Sequence, residues 1–190
     1  MRNPLTTVIT RGLPVVAAGL ALVVAQAGTA AACPVVGVAH RVTTSPDGRE
    51  FHLDLIAGPT TLPVAGGTVQ VAGSGYNEDQ GIFLAFCAVK DGVKVGDPST
   101  YTTLPTPCLG GRESTDGSAR RITNSATGTP GVTIPYGPHG SFRTTLNLTP
   151  HLPDGTTCDV DVQCAIVTRA DYTATDDRTY DQYIAVHFHG

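Results

Sequence analysis

The sequence predicts an all-β sandwich. Three observations carry that expectation. Apolar or alternating runs of strand length recur along the chain, turn-forming clusters such as SPDG, AGPTTLP and LPDG separate them, and no amphipathic helical window appears past the N-terminal segment. With 22 glycines and 14 prolines in 190 residues, long helices have little room.

Residues 1–32 read as a secretory signal peptide. Arg2 and Arg11 supply positive charge, and the apolar stretch 13–28 (LPVVAAGLALVVAQAG) is shorter than the ~20 residues of a membrane span. Thr29, Ala30, Ala31 and Ala32 then offer small residues for cleavage. Export to the cell envelope or the extracellular medium is therefore expected. Residues 33–63 read as an N-terminal extension with at most one strand, at FHLDLI (51–56), where apolar and polar residues alternate. The sandwich itself is expected over 64–190. TVQVAG (68–73) alternates, whereas IFLAFCAV (82–89) is apolar without a break, the pattern of a strand buried on both faces. SFRTTLNL (141–148), VQCAIVTR (162–169) and YIAVHF (183–188) complete the set. Residues 110–140 are polar, rich in Gly, Ser and Thr, and lack a sustained period. They read as a flexible insertion carrying short β stretches at ARRITN and GVTIPY.

Charge narrows the function classes. The chain carries 12 basic and 16 acidic residues, and loss of Arg2 and Arg11 with the signal leaves a net charge of −6. The only lysines are Lys90 and Lys94, and the arginines are scattered. A nucleic-acid binder needs a basic patch to displace phosphate counterions, so direct nucleic-acid binding is not expected.

The five cysteines fit an exported, oxidised chain. Cys33 stands at the processing site. The three alanines before it resemble a lipoprotein box lacking its leucine, so Cys33 is a candidate for lipidation, and membrane attachment is expected only in that case. Cys87, Cys108, Cys158 and Cys164 remain, and four cysteines allow three pairings. The local pairs Cys87–Cys108 and Cys158–Cys164 fit best, since each sits near the ends of a plausible turn. No C-x-x-C pair and no zinc-type Cys–His spacing occurs.

The order GGTVQVAGSGYNEDQGIFLAFCAV, a cysteine after a short excursion, GSFRTTLNL, DGTTCDVDVQCAIVTRAD and YIAVHF resembles the neocarzinostatin family over roughly residues 64–189. The most specific parts are the V-x-V-x-G-x-G strand and turn (Val69, Val71, Gly73, Gly75) and the paired cysteines. The resemblance implies an immunoglobulin-like antiparallel sandwich of about seven strands, the same two local disulfides, and an actinobacterial secreted protein. It also implies a binding module rather than an enzyme, of the antibiotic-chromophore-carrying kind: a small hydrophobic ligand in a cleft between the sandwich and a hairpin at 170–182. By the same resemblance Phe83 would line the cleft, and Tyr172 and Tyr180 would stand at its rim. The chain departs from the carriers after the first cysteine, where Ala88, Val89 and Lys90 replace the family's aromatic residue. It contains no Trp, and the loop TPHLPDGTTC is short and polar. The alternative reading is a structural or adhesive cell-surface domain with a surface partner, linked to haem or metal uptake.

Catalytic motifs are missing: no G-x-S-x-G elbow, no H-E-x-x-H and no P-loop. No catalytic residue is assigned, and no cofactor is expected. His187 and His189 fall on one side of the last strand by its two-residue period, so the pair is a candidate metal site. The aspartates of RADYTATDDRTYDQ do not follow the spacing of an EF-hand loop. They read as a solvated hairpin tip in which Arg169 or Arg178 pairs with one of them.

Overall fold

The computed structural model describes residues 35–190, so the signal peptide and Cys33 lie outside the described residues. The strands are β1 (Gly37–Thr44), β2 (Glu50–Gly58), β3 (Thr61–Pro63), β4 (Gly67–Ser74), β5 (Ile82–Ala88), β6 (Cys108–Leu109), β7 (Ala119–Ile122), β8 (Thr133–Ile134), β9 (Phe142–Leu148), β10 (Cys164–Ala170) and β11 (Gln182–His189). A smaller sheet has the order β1-β2-β4-β9. A larger one runs β3-β11-β10-β5-β7-β8, with β6 also paired to β5. The protein is all-β, and its two sheets face each other across one apolar core.

Alternation builds that core. On β2, Leu53, Leu55 and Ala57 are buried while Glu50, His52, Asp54 and Ile56 face out; β4 contributes Val69 and Val71, and β9 Phe142, Leu146 and Leu148. Ile82, Leu84 and Phe86 of β5, Ile166 of β10, and Ile184 and Val186 of β11 meet them from the opposite sheet. Each such side chain, fully buried, stabilises the fold by about 1.5–3 kcal/mol. The two glycines of the V-x-V-x-G-x-G stretch have separate causes. A Cβ on Gly73 would stand 2.4 Å from the Phe142 ring, whereas Gly75 has φ +77° and a Cβ there would lie 1.9 Å from the His52 carbonyl oxygen.

Thr168, Tyr76 and Gln182 link in a hydrogen-bonded chain inside the core, with only the Gln182 Oε1 left without a partner. The Thr168 hydroxyl donates to the Tyr180 carbonyl at 2.8 Å. It therefore accepts from the Tyr76 hydroxyl at 3.2 Å, and Tyr76 in turn accepts from Gln182 Nε2 at 2.7 Å. Burial pushes the Tyr76 phenol far above its ordinary range, so it stays a neutral donor.

Three expectations need correction. The described residues form eleven strands rather than about seven. The segment 33–63 is no extension with a single strand: it holds β1, β2 and β3, and β1 and β2 make half of the smaller sheet. The 110–140 segment supplies β7 and β8 to the larger sheet, with Ala119, Arg121, Ile122, Val132 and Tyr136 buried. Its strands are four and two residues long, too short for a period to show in the sequence.

Candidate functional site

β5 is buried along its whole length because both its faces are covered. Its inner residues join the core. Its outer residues Phe83, Ala85 and Cys87 belong to rows that cross the larger sheet, set by register. In the first row Arg169 of β10 pairs with Phe83, and Phe83 with Arg121 of β7. Thr168 pairs with Gln182, which brings Asp181, just before β11, beside Arg169. The second row is Tyr183, Val167, Ala85 and Ala119, and the third includes Ala165, Cys87 and Cys108.

Small residues in the second and third rows leave a trough, and the protein fills it itself. The excursion between β5 and β6 returns through the Cys87–Cys108 disulfide and lays Tyr101 on the apolar floor. The Tyr101 ring lies 4.4 Å from that of Tyr183, and its hydroxyl accepts from the Gly96 amide at 3.0 Å. Val93 and Val95 pack against the same cluster. The apolar middle of this face is therefore closed to solvent.

The first row is charged. Arg121 and Asp171 form a buried ion pair, each side chain 1 % exposed, in which Arg121 Nε and Nη2 donate to Asp171 Oδ2 at 2.8 and 2.7 Å. Burial alone would raise the Asp171 carboxyl; bonds from Thr173 and Arg121 outweigh it and hold the group below the ordinary carboxylate range. A Cβ on Gly81 would come within 2.1 Å of Asp171 Oδ2, so that position has room only for glycine. Asp181 is also buried. Arg178 Nη1 donates to its Oδ2 at 3.0 Å, but its Oδ1 has no hydrogen-bond partner. Burial pushes its carboxyl up to about 7 against the pull of Arg178, Arg41 and Arg169.

Arg169 is unlike the others. It is 6 % exposed, stacks its guanidinium 4.9 Å from the centre of the Phe83 ring, and leaves its buried Nε without any hydrogen-bond partner. Among the described residues it forms no ion pair within 4.0 Å. Burial lowers its affinity for its proton, and the neighbouring charges of Arg178 and Arg112 add to that effect while Asp181 opposes it. Arg169 lines a cleft of about 230 Å³ together with Leu104, Pro105, Thr106, the exposed Arg112 and Thr175 of the 170–182 hairpin.

The residues expected from sequence fall in different places. Phe83 stacks against Arg169 on the outer face and is itself buried, so it supports Arg169 rather than lining an open cleft. Tyr172 is 47 % exposed and stacks on Arg121, whose Cζ is 4.3 Å from the ring centre. Tyr180 is not a rim residue: it is buried in the core, edge-on to Phe51, and its hydroxyl accepts from Asn77. The hairpin is solvated only in part: Tyr172, Thr173 and Asp176 are exposed, but Asp171 and Asp181 are buried; Arg178 pairs with Asp181 as expected, whereas Asp171 pairs with Arg121 of β7. His187 and His189 are both exposed, with His187 Nδ1 3.0 Å from Asp159 Oδ1. Among the described residues no three His, Cys, Asp or Glu side chains are placed to hold a metal ion. The disulfides are Cys87–Cys108 and Cys158–Cys164. Sequence reasoning missed Arg169 and Arg112 as cleft residues. The available signal was a charge inside AIVTRA, in step with the outward-facing Ala165 and Val167.

No protein-family model matches this chain, and no curated protein matches it. Among solved structures the chain is similar to macromomycin, at 17 % identity over 80 % of this chain and 99 % of that one, with a TM-score of 0.40. A likeness that loose carries no argument about the site.

Proposed function

We propose that this protein is an exported, non-enzymatic binding module that holds a small molecule in the cleft between the outer face of the larger sheet and the 170–182 hairpin. The observation that carries the reading is Arg169, a buried cation that lines the cleft and whose Nε has no hydrogen-bond partner in the protein. Leaving a buried donor unpaired costs about 1–3 kcal/mol, more for a charged group. Such a group beside a cleft supports the reading of a ligand site. A volume near 230 Å³ is smaller than the ~300–1,000 Å³ of drug-sized pockets, and Tyr101 covers the apolar floor, so a large hydrophobic chromophore has no seat here. The ligand is of single-ring size, with its apolar part against Leu104 and Pro105.

Native mass spectrometry of protein purified from its own producer's medium tests this. A co-purifying small molecule lost on replacing cleft residues supports the module. A clean mass, together with no saturable binding of ring-sized compounds, overturns it. The same spectra report removal of residues 1–32 and any lipid on Cys33.

A second observation favours a surface partner in addition. Val36, Val38, Val42 and Ile56 are exposed on β1, β2 and the residues just before them, beside a hollow of about 320 Å³.

A further inference from the structure

Resting on that binding reading, we infer that the cleft selects a small oxyanion, a carboxylate or phosphate group, seated on Arg169 and Arg112. Arg121 has Asp171, Arg178 has Asp181, and Arg41 donates to the carbonyls of Arg178 and Asp181 at 2.7 and 2.8 Å. Each of these cations is compensated inside the protein. Arg169, between them and 6 % exposed, has neither a carboxylate nor a carbonyl in hydrogen-bond reach of its Nε.

Arg112 lines the same cleft, and its charge opposes that of Arg169. Two like charges facing one cavity are a cost in the empty protein. An oxyanion between them removes the repulsion and supplies charge-assisted bonds, the strongest hydrogen bonds available to a guanidinium. The Phe83 ring below Arg169 fixes the plane of the fork, because the cation stacks on the ring face. Thr106 and Thr175 stand at the wall with hydroxyls that can donate to a remaining oxygen. Leu104 and Pro105 accept an apolar body. A cavity of about 150 Å³ already holds benzene, so about 230 Å³ accommodates a ring with one charged substituent.

Side-chain-resolved nitrogen–proton NMR tests this on the purified protein with both disulfides formed, in chloride-poor buffer. The probes are benzoate, inorganic phosphate and the neutral isostere benzamide. Saturable shifts of the Arg169 Nε–H signal with benzoate or phosphate, and not with benzamide, are expected. Preference for benzoate identifies a carboxylate on an apolar body; preference for phosphate identifies a phosphate headgroup. Arg112→Ala, an exposed change that leaves the sheet intact, should weaken binding about tenfold, the worth of one charge-assisted contact. Arg169→Lys keeps the charge but loses the fork and should weaken it further; Arg169→Met should abolish it. Equal binding of benzamide refutes the oxyanion inference while leaving the binding module standing. Anion shifts that map elsewhere, or persist unchanged in both Arg112→Ala and Arg169→Met, also refute it. If no probe binds, the inference fails, and the native mass spectrum decides the module separately.

Discussion

Removing the Asp171 carboxylate should be among the most damaging single changes this protein can suffer. The group accepts five hydrogen bonds: from the Thr173 amide and hydroxyl at 2.9 and 2.6 Å, from Gln80 at 3.3 Å, and from Arg121 Nε and Nη2 at 2.8 and 2.7 Å. Asp171→Ala leaves Arg121, 1 % exposed, with no carboxylate partner, only the Thr127 hydrogen bonds of its Nη1 and the Tyr172 ring. An uncompensated buried charge of this kind costs about 3–5 kcal/mol, a large part of the ~5–15 kcal/mol total of a domain. Arg121→Met should cost a similar amount by stranding Asp171. The double variant should be less destabilised than the sum of the two by at least about 2 kcal/mol, since neither charge is then left alone. Urea unfolding with intact disulfides, followed by far-ultraviolet circular dichroism, measures this directly. A loss under about 1 kcal/mol in Asp171→Ala, or additive single changes, would refute the buried-pair argument. Acid provides a second reading. The Asp171 carboxyl sits below its unfolded value, so its contribution is complete above about pH 4 and disappears as pH falls further through the folded value.

Asp181 behaves oppositely to Asp171. Its carboxyl rises to about 7, so the folded state binds the extra proton, and this stabilising contribution, at most about 4 kcal/mol, is complete below pH 4 and lost as pH rises through 7. Urea midpoints at pH 5 and 8 should show that loss, and Asp181→Asn should flatten it. Tyr101→Ala should cost about 3–5 kcal/mol and uncover the floor around Val167 and Tyr183, creating binding of an apolar fluorescent dye that the parent lacks; unchanged dye binding would contradict the covering role. Replacing Cys87 and Cys108 together should cost about 3 kcal/mol, and replacing Cys158 and Cys164 about 2, because the closed loops differ in length (sequence separations 21 and 6). Non-reducing peptide maps linking Cys87 to Cys158 or Cys164 would contradict the pairing.

Much of the scaffold could be read in the residues. The unbroken run of β5 announced a strand covered on both faces, and the alternation of Leu53, Leu55 and Ala57 placed β2's inner side. What could not be read was partnership at a distance. Arg121 and Asp171 are 50 positions apart, and nothing near either predicts that they meet; an aspartate-rich hairpin looks solvated until the strand beside it supplies a guanidinium. Two-residue strands such as β6 and β8 show no period, and their pairing depends on β5 and β7 already being in place. The departure of Tyr180 from the rim has the same origin. It lies where the hairpin re-enters the sheet, so a difference of one residue in register decides between cleft and core.

Electrostatics connects the scaffold to the cleft. The chain as a whole is acidic, with a formal net charge of −4, yet Arg41, Arg169 and Arg178 act on the buried carboxylate of Asp181 against the one neighbouring acid Asp177, and Arg112 lines the same cleft as Arg169. The local balance is positive inside a negative molecule. At physiological salt, fields are screened within about 8 Å, so the acidic surface repels an approaching anion only weakly while the guanidiniums act at contact distance. A ligand held this way gains little from long-range steering and depends on the fork of Arg169 and the charge of Arg112. Raising the salt should therefore change the association rate less than the dissociation rate, the reverse of what a surface patch would give.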